Sequence, residues 1–321
     1  MPPHRPAEEP APLGSWLPGY LALALIWGSS FLLIKVGVAQ LHPLYVSLGR
    51  VAVGALTLLV VLAVTRGRLP RGWRTWGHLS VVGVIGTAVP FTLFGYGEQR
   101  ISSALAGIWN ATTPLVALPV AILVFRTERL TLRRAVGVLL GFAGVLVVLG
   151  VWRGVGGAQL AGQAMCFGAA ACYAVAIPYQ RRFLSGLPGS GVGVPAGQLI
   201  TATLALVLVT PLVAGAPPAP ASLDPEVVGA VLALGALGTG LAFVLHFRVI
   251  RFAGASTSAS VTYLLPLVST VIGLLVLREE VSWYQPVGGL VVLLGVGISQ
   301  GLLRLPVRRR LRRADPVPRG A

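Results

Sequence analysis

The chain has 321 residues, of which 55% are Ala, Val, Ile, Leu, Met, Phe, Trp, Tyr or Cys and only 11% are charged. A soluble protein carries about 25% charged residues and could not bury so much apolar surface, so the composition excludes that class and indicates an integral membrane protein. A formal net charge of +16 would suggest a nucleic-acid partner in a soluble chain, but the cations lie in short links between apolar runs, which indicates membrane topology and no nucleic acid.

Ten apolar runs approach or exceed the length of about 20 residues that a membrane-spanning helix needs. The first has no signal-peptide n-region or cleavage site, so we expect it to be retained. In chain order the predicted spans are Leu17–Val36, Pro43–Thr65, Gly77–Gly97, Ser102–Phe125, Leu132–Gly150, Leu160–Gln180, Val194–Ala214, Glu226–Phe247, Ala255–Leu277 and Tyr284–Leu303.

The positive charges predict the orientation of these spans. With residues 1–16 in the cytoplasm, 20 of the 25 Lys and Arg residues fall on the cytoplasmic side and 3 outside, while Lys35 and Arg50 lie within spans. Without the basic tail of residues 304–321 the ratio is still 13 to 3. Because cytoplasmic links are enriched in Lys and Arg, we expect a multi-pass protein of the cytoplasmic membrane with both termini inside.

The sequence also repeats itself. Shifted by 152 residues, 83–130 pairs with 235–282 without a gap, and 11 of the 48 pairs are identical. They include a shared Gly-x-x-Gly-Thr, a Pro-Leu-Val and an Arg-x-Glu. Shifts of 146 and 148 place Trp27 on Tyr173, Lys35 on Arg181 and Arg50 on Gln198.

The repeat predicts two five-span copies, residues 17–150 and 160–303, joined by a linker of residues 151–159. Because five is an odd number, the second copy enters the membrane in the opposite orientation. Inverted repeats are typical of secondary transporters. The alternative is an old duplication that is kept only for packing.

Several of these residues resemble one family. Ile26-Trp27-Gly28-Ser29-Ser30-Phe31, Lys35, Arg50, the pair Pro114 and Pro266, and the pair Arg126-x-Glu128 and Arg278-x-Glu280 are similar to the two EamA repeats of the drug/metabolite transporter superfamily. The resemblance covers roughly residues 17 to 303. It implies an all-α integral membrane fold of ten transmembrane helices, arranged as two inverted five-helix EamA repeats, and a central cavity lined by both halves. Tyr173 and Arg181 replace Trp27 and Lys35 in the second copy, so the cavity need not be symmetric.

Polar and aromatic side chains within the spans are the candidates for a substrate pathway, since a ligand site combines apolar walls with a few placed polar groups. Aromatic belts and interhelical hydrogen bonds are the alternative for each. Arg50 is either a substrate-facing cation or a structural arginine paired with Glu98 or with carbonyls at a span end. The candidates are Trp27, Arg50, Tyr96, Trp109, Asn110, Tyr173, Gln198 and Tyr263.

Other positions are expected to shape the helices. Pro114 and Pro266 lie in the middle of spans 4 and 9, where a proline disfavours a straight helix, and they are hinge candidates. Gly137 and Gly141 form a G-x-x-x-G on span 5, which favours tight helix packing over an oligomer interface. No Asp or Glu falls in the middle of a span, so a carboxylate that couples transport to protons is not favoured.

These patterns predict a secondary active transporter that exports small metabolites, amino-acid-like or drug-like, across the cytoplasmic membrane by alternating access. The expected partners are a small-molecule substrate and the lipid bilayer, with a homodimer possible. Neither an enzyme, a cofactor nor a metal is indicated, since familiar nucleotide and hydrolase motifs are missing and Cys166, Cys172 and His246 have no metal-ligand spacing. The alternatives are a membrane-embedded lipid-handling protein or enzyme, and a non-transporting regulatory subunit.

Overall fold

The computed structural model describes residues 12–124, 130–153, 157–185, 187, 190–219 and 222–303. Arg126 and Glu128 of the first repeat, together with Arg5 and the basic tail, lie outside the described residues.

The described part of the first half consists of seven α-helices and one π-helical segment. These are α1 (Leu13–Gly37), α2 (Pro43–Val64), α3 (Trp73–Gly83), the first π segment (Val84–Ala88), α4 (Val89–Glu98), α5 (Ser103–Asn110), α6 (Thr113–Leu123) and α7 (Leu132–Leu149). A 3₁₀ turn, Val151–Arg153, follows α7.

The second half has a matching order of elements. They are α8 (Gly157–Leu184), α9 (Ser190–Ala214), α10 (Pro225–Gly235), the second π segment (Ala236–Leu241), α11 (Ala242–Ser260), a 3₁₀ turn (Val261–Tyr263), α12 (Leu265–Leu275) and α13 (Tyr284–Gln300).

Ten apolar helical spans are present in the described residues, as the sequence predicts. Nine are at least 18 residues long, and α13 is a shorter apolar helix. One bound differs clearly: the eighth span, predicted as Glu226–Phe247, extends over Pro225–Gly254. It continues because α11 remains helical up to Gly254, whose φ of +85° breaks the helix there.

The bounds of the helices in the two halves correspond at the offset found in the sequence. Adding 152 to the first residue of α3, the last residue of α6 and the first residue of α7 gives the first residue of α10, the last of α12 and the first of α13. The two π segments also begin 152 residues apart. A π-helical turn is uncommon, and both halves have one at the repeated Gly-x-x-Gly-Thr.

The buried residues lie where the halves meet. One cluster joins Leu23 and Phe31 of α1 with Phe94 of α4, Leu105 of α5 and Leu234 of α10. Large apolar side chains on the outside are exposed, such as Leu139, Leu208 and Leu212 at 70%, 71% and 85%. A fold that buries polar contacts and exposes leucines suits a lipid environment.

Links that follow odd-numbered spans meet at one end of the bundle. Gln40, after span 1, hydrogen-bonds with Asp224, after span 7. Lys35 near the end of span 1 binds carbonyls at the end of span 3. At the other end, Tyr20 near the start of span 1 bonds to Ser260 near the start of span 9, with 2.9 Å between the two hydroxyl oxygens. Spans 1, 3, 7 and 9 therefore cross the bundle in the same direction.

Helices α7 and α13, the last of each half, pack backbone to backbone in antiparallel directions. A Cβ at Gly137 would lie 2.5 Å from the Ser299 nitrogen, and one at Gly144 would lie 2.6 Å from the Val292 nitrogen. Only glycine permits this approach. The prediction that Gly137 serves helix packing is confirmed by these contacts within the chain, and Gly141 joins it by packing against Leu115.

Candidate functional site

Arg50 is a buried cation that joins the two halves. Its side chain is 7% exposed, and its Nε donates to Thr239 Oγ1 at 3.0 Å. The guanidinium carbon lies 3.6 Å from the centroid of the Phe91 ring, a distance at which a cation is attracted to an aromatic face. Neither of the expected structural partners, the Glu98 carboxylate or a span-end carbonyl, takes this hydrogen bond.

Gln198 makes the matching contact from the second half. Its Nε2 donates to Thr87 Oγ1 at 2.7 Å, and both groups are buried. Thr87 belongs to the first π segment and Thr239 to the second. The second span of each half therefore donates a hydrogen bond to a threonine in the π segment of the other half. Arg50 and Gln198, which are paired by the sequence repeat, make equivalent contacts in the structure.

Glu98 occupies an unusual position. It is the last residue of α4, yet it is 0% exposed. Lys35 lies beside it, and its Nζ donates to the main-chain oxygens of Glu98 and Ile101 at 2.5 Å and 2.9 Å. Arg50 and Glu279 are also close enough to Glu98 to interact electrostatically.

Glu279 was not selected by sequence reasoning, which followed its neighbour Glu280 because of the repeat. Its carboxylate accepts from the Ser103 nitrogen at 2.8 Å, from Ser103 Oγ at 2.9 Å and from the Ala104 nitrogen at 3.2 Å. A carboxylate is favourable there because the first backbone N–H groups of α5 have no partner within the helix. The contact joins the α12–α13 link to α5 in the other half.

Each of the remaining aromatic and amide candidates has its own set of contacts. Trp109 Nε1 donates to Gln163 Oε1 at 3.1 Å, and the Tyr96 hydroxyl lies 3.2 Å from His42 Nε2. Ring centroids are 5.3 Å apart for Trp27 and His246, and 6.3 Å for Tyr173 and Phe94. Asn110 ends α5, and Tyr263 packs beside Leu115, Val292 and Val296.

The structure brings only some of the candidates together. Tyr173 and Glu98 both lie close enough to Arg50 to interact with it electrostatically. We use the name Arg50 cluster for Arg50, Thr239, Phe91, Tyr173 and Glu98. Trp109 is in one hydrophobic cluster with Phe94, and Trp27 and Tyr173 pack against that cluster.

Two open cavities are described, and none of the eight pathway candidates lines either of them. One of about 340 Å³ is lined by Lys35, Val38, Ala39, Glu98 and Gln99. The other, about 540 Å³, lies at the opposite end of α2 beside Gly67, Arg68 and Arg71. The first cavity adjoins the Arg50 cluster through Glu98.

The two hinge candidates lie at helix breaks. Pro114 is in the first turn of α6, just after α5 ends at Asn110, and Pro266 is in the first turn of α12 after a 3₁₀ turn. They do not kink a continuous helix, because proline in a first turn removes no intrahelical hydrogen bond. Each half therefore contains one discontinuous span at the matching place.

Comparison with known proteins gives consistent matches. The family model described as "EamA-like transporter family" matches residues 14–150 and again residues 160–299. An uncharacterized transporter of Archaeoglobus fulgidus is 25% identical over 87% of this chain and 97% of its own length. The uncharacterized transporter YoaV of Bacillus subtilis is 22% identical over 87% and 94%.

Two further matches extend this picture. The chloroplastic WAT1-related protein At3g02690 of Arabidopsis thaliana is 25% identical over 84% of this chain and 66% of its own. A solved crystal structure shares the fold with a TM-score of 0.63 at 20% identity, over 91% of this chain and 99% of the other.

The apolar helices and these relatives define a multi-pass membrane transporter. The chain belongs to the EamA-like transporter family, within the drug/metabolite transporter superfamily.

Proposed function

We propose that this transporter is a secondary exporter of small amino-acid-like or drug-like molecules, working in the cytoplasmic membrane by alternating access of two inverted repeats. The reciprocal contacts Arg50–Thr239 and Gln198–Thr87 are the observation that carries the proposal. They join the same positions of the two halves, as a two-fold arrangement about a midplane site requires.

Two further features support the inverted arrangement. Helices α7 and α13 are equivalent in the repeat and pack antiparallel. The broken spans α5–α6 and the 3₁₀ turn with α12 occupy matching places. Broken spans leave backbone groups free near the midplane, where transporters bind substrates and ions. We infer that Pro114 and Pro266 act as hinges at these breaks.

In this proposal the pathway runs between the halves past the Arg50 cluster. The Arg50 guanidinium offers further N–H donors beyond the one bound to Thr239, which suits a carboxylate or another anionic group of a substrate. Trp27, Tyr96, Trp109, Asn110, Gln198 and Tyr263 supply the apolar and amide walls. The alternatives of a lipid-handling protein, an enzyme or a regulatory subunit are less favoured by the transporter relatives.

The test uses purified protein in liposomes. A radiolabelled amino-acid mixture, putrescine and ethidium are offered under imposed gradients, beside protein-free liposomes and a known exporter. We expect flux of at least one probe, and a large reduction when Arg50 is changed to Gln. No flux of any probe, while the known exporter works, would contradict the proposal.

Export in particular is tested in cells. Overexpression should raise resistance to toxic analogues of the transported class and lower their accumulation. Sensitisation to the same analogues would indicate import and contradict export.

A further inference from the structure

The carboxyl group of Glu98 is buried without a hydrogen-bond partner. The side chain is 0% exposed, and neither Oε1 nor Oε2 has a partner among the described residues. Buried polar atoms are almost always paired, so an unpaired carboxyl needs an explanation. An ionised carboxylate in this position would lack every hydrogen bond that normally compensates for lost hydration.

The charged and titratable groups that interact electrostatically with Glu98 come from four neighbouring elements, and those with hydrogen bonds make them elsewhere. Lys35 of α1 binds two carbonyls, Arg50 of α2 binds Thr239, and Glu279 of the α12–α13 link binds α5. Cys166 of α8 is the fourth group. This is the arrangement expected around a neutral acid, because an ionised carboxylate would draw a hydrogen bond from Lys35 or Arg50.

We propose that Glu98 is a proton-binding site that couples proton movement to transport, a step that rests on the proposed function. The open cavity of about 340 Å³ has Glu98 and Lys35 in its lining, while the Glu98 side chain itself has no exposed surface, so a proton reaches the carboxyl when the surrounding side chains open. A proton fits this site better than a metal cation, because a proton bonds to one carboxyl oxygen whereas a metal needs several oxygen ligands. Isolated acids within membrane proteins commonly serve proton relays.

Loss of the proton has a mechanical consequence. The new carboxylate attracts the Lys35 ammonium, which now holds the Glu98 and Ile101 oxygens at the junction between α4 and α5. Transfer of that ammonium to the carboxylate frees the junction. The coupled motion is therefore the release of the α4–α5 junction from α1.

The first test needs no substrate. Infrared difference spectra between acidic and alkaline buffer are recorded for the purified full chain in lipid. We expect the wild type to show the C=O band of a protonated carboxyl that disappears on alkalinisation, and Glu98→Gln to lack it. Glu226→Gln, which changes an exposed acid in the first turn of α10, is the control and should leave the band unchanged.

A second variant keeps the result interpretable if Glu98→Gln folds poorly. Glu98→Asp retains a carboxyl, so its band should persist at a shifted frequency. A wild-type spectrum without such a band, or the same band in both wild type and Glu98→Gln, would overturn the proposal.

The second test measures coupling with the labelled amino-acid mixture in proteoliposomes. We expect a pH gradient to drive accumulation by the wild type but not by Glu98→Gln, while exchange of internal for external label persists in both. Gradient-driven accumulation at the wild-type level in Glu98→Gln would contradict coupling through Glu98. If the wild type moves no label, it is the proposed function that fails, and the infrared comparison still decides the proton site.

Discussion

Thr87 and Thr239, the threonines of the two π segments, each accept a hydrogen bond from a buried polar group of the opposite half. Without Thr239 Oγ1, the Arg50 Nε–H would be buried with no acceptor. An unsatisfied buried donor costs about 1–3 kcal/mol. We therefore expect Thr239→Val to lower the apparent Tm of the detergent-purified protein by several degrees.

Thr203→Val is the matched control for this change. Thr203 Oγ1 donates only to the Leu199 oxygen of its own helix, so its loss leaves no other side chain unpaired. We expect a smaller effect there, and equal Tm losses for the two variants would count against a role for Thr239 in joining the halves.

Glu279 predicts a second effect at the scale of a single residue. Glu279→Gln removes the negative charge that accepts three hydrogen bonds at the start of α5. Because charge-assisted hydrogen bonds contribute about 1.5–3 kcal/mol, we expect a clear loss of thermal stability. The neighbouring exposed acid offers the control Glu280→Gln, for which we expect almost none, and thermal unfolding of both variants decides the point.

Arg50 and Gln198 could be predicted as candidates from the sequence, because charged and amide groups within apolar spans are conspicuous. The full burial of Glu98 could not be predicted, since burial at the end of a span depends on which neighbouring links fold over it. Glu279 was missed because the repeat marks Glu280, while the nitrogen atoms that Glu279 binds belong to a helix 176 residues away.

At the scale of helices, α7 and α13 form the closest interface of the fold. Gly144→Ala places a Cβ 2.6 Å from the Val292 nitrogen and 2.9 Å from the Gly288 oxygen. Both atoms belong to backbone that cannot rotate away, so the helices must separate. Overpacking of this kind costs about 1–3 kcal/mol, and we expect a lower apparent Tm.

Gly229→Ala on α10 is the control for this prediction. A Cβ at Gly229 meets nothing within 4 Å, and alanine is favoured over glycine inside a helix by about 0.5–1 kcal/mol. We expect unchanged or higher stability there. Equal destabilisation by the two substitutions would show that the glycine interface does not determine stability.

Helix bounds were largely accessible from the sequence, because apolar runs of spanning length are bounded by charges and prolines. The π segments were not predicted from the sequence. Their Gly-x-x-Gly-Thr stood out only as a repeated motif, and these residue types do not distinguish a π turn from an α turn. At the second π segment α2 approaches closely, since a Cβ at Gly54 would lie 2.7 Å from Thr239 Cγ2.

The whole molecule should be oriented with both termini in the cytoplasm. In a background without Cys166 and Cys172, a cysteine at Asp224 should react with an impermeant thiol reagent from outside the cell, and one at Arg71 should not. The reason is that Lys and Arg are concentrated in the links that follow even-numbered spans. The opposite labelling pattern would reverse the topology.

The glycine contact between α7 and α13 also bears on how such a chain could arise. Each helix is the counterpart of the other in the repeat, so the glycine surface of one half is complementary to the equivalent surface of the other half. Two separate copies inserted in opposite directions could then dimerise before any gene fusion. We expect residues 1–153 and 157–321, produced as two polypeptides in one cell, to co-purify, and Gly144→Ala to weaken that association.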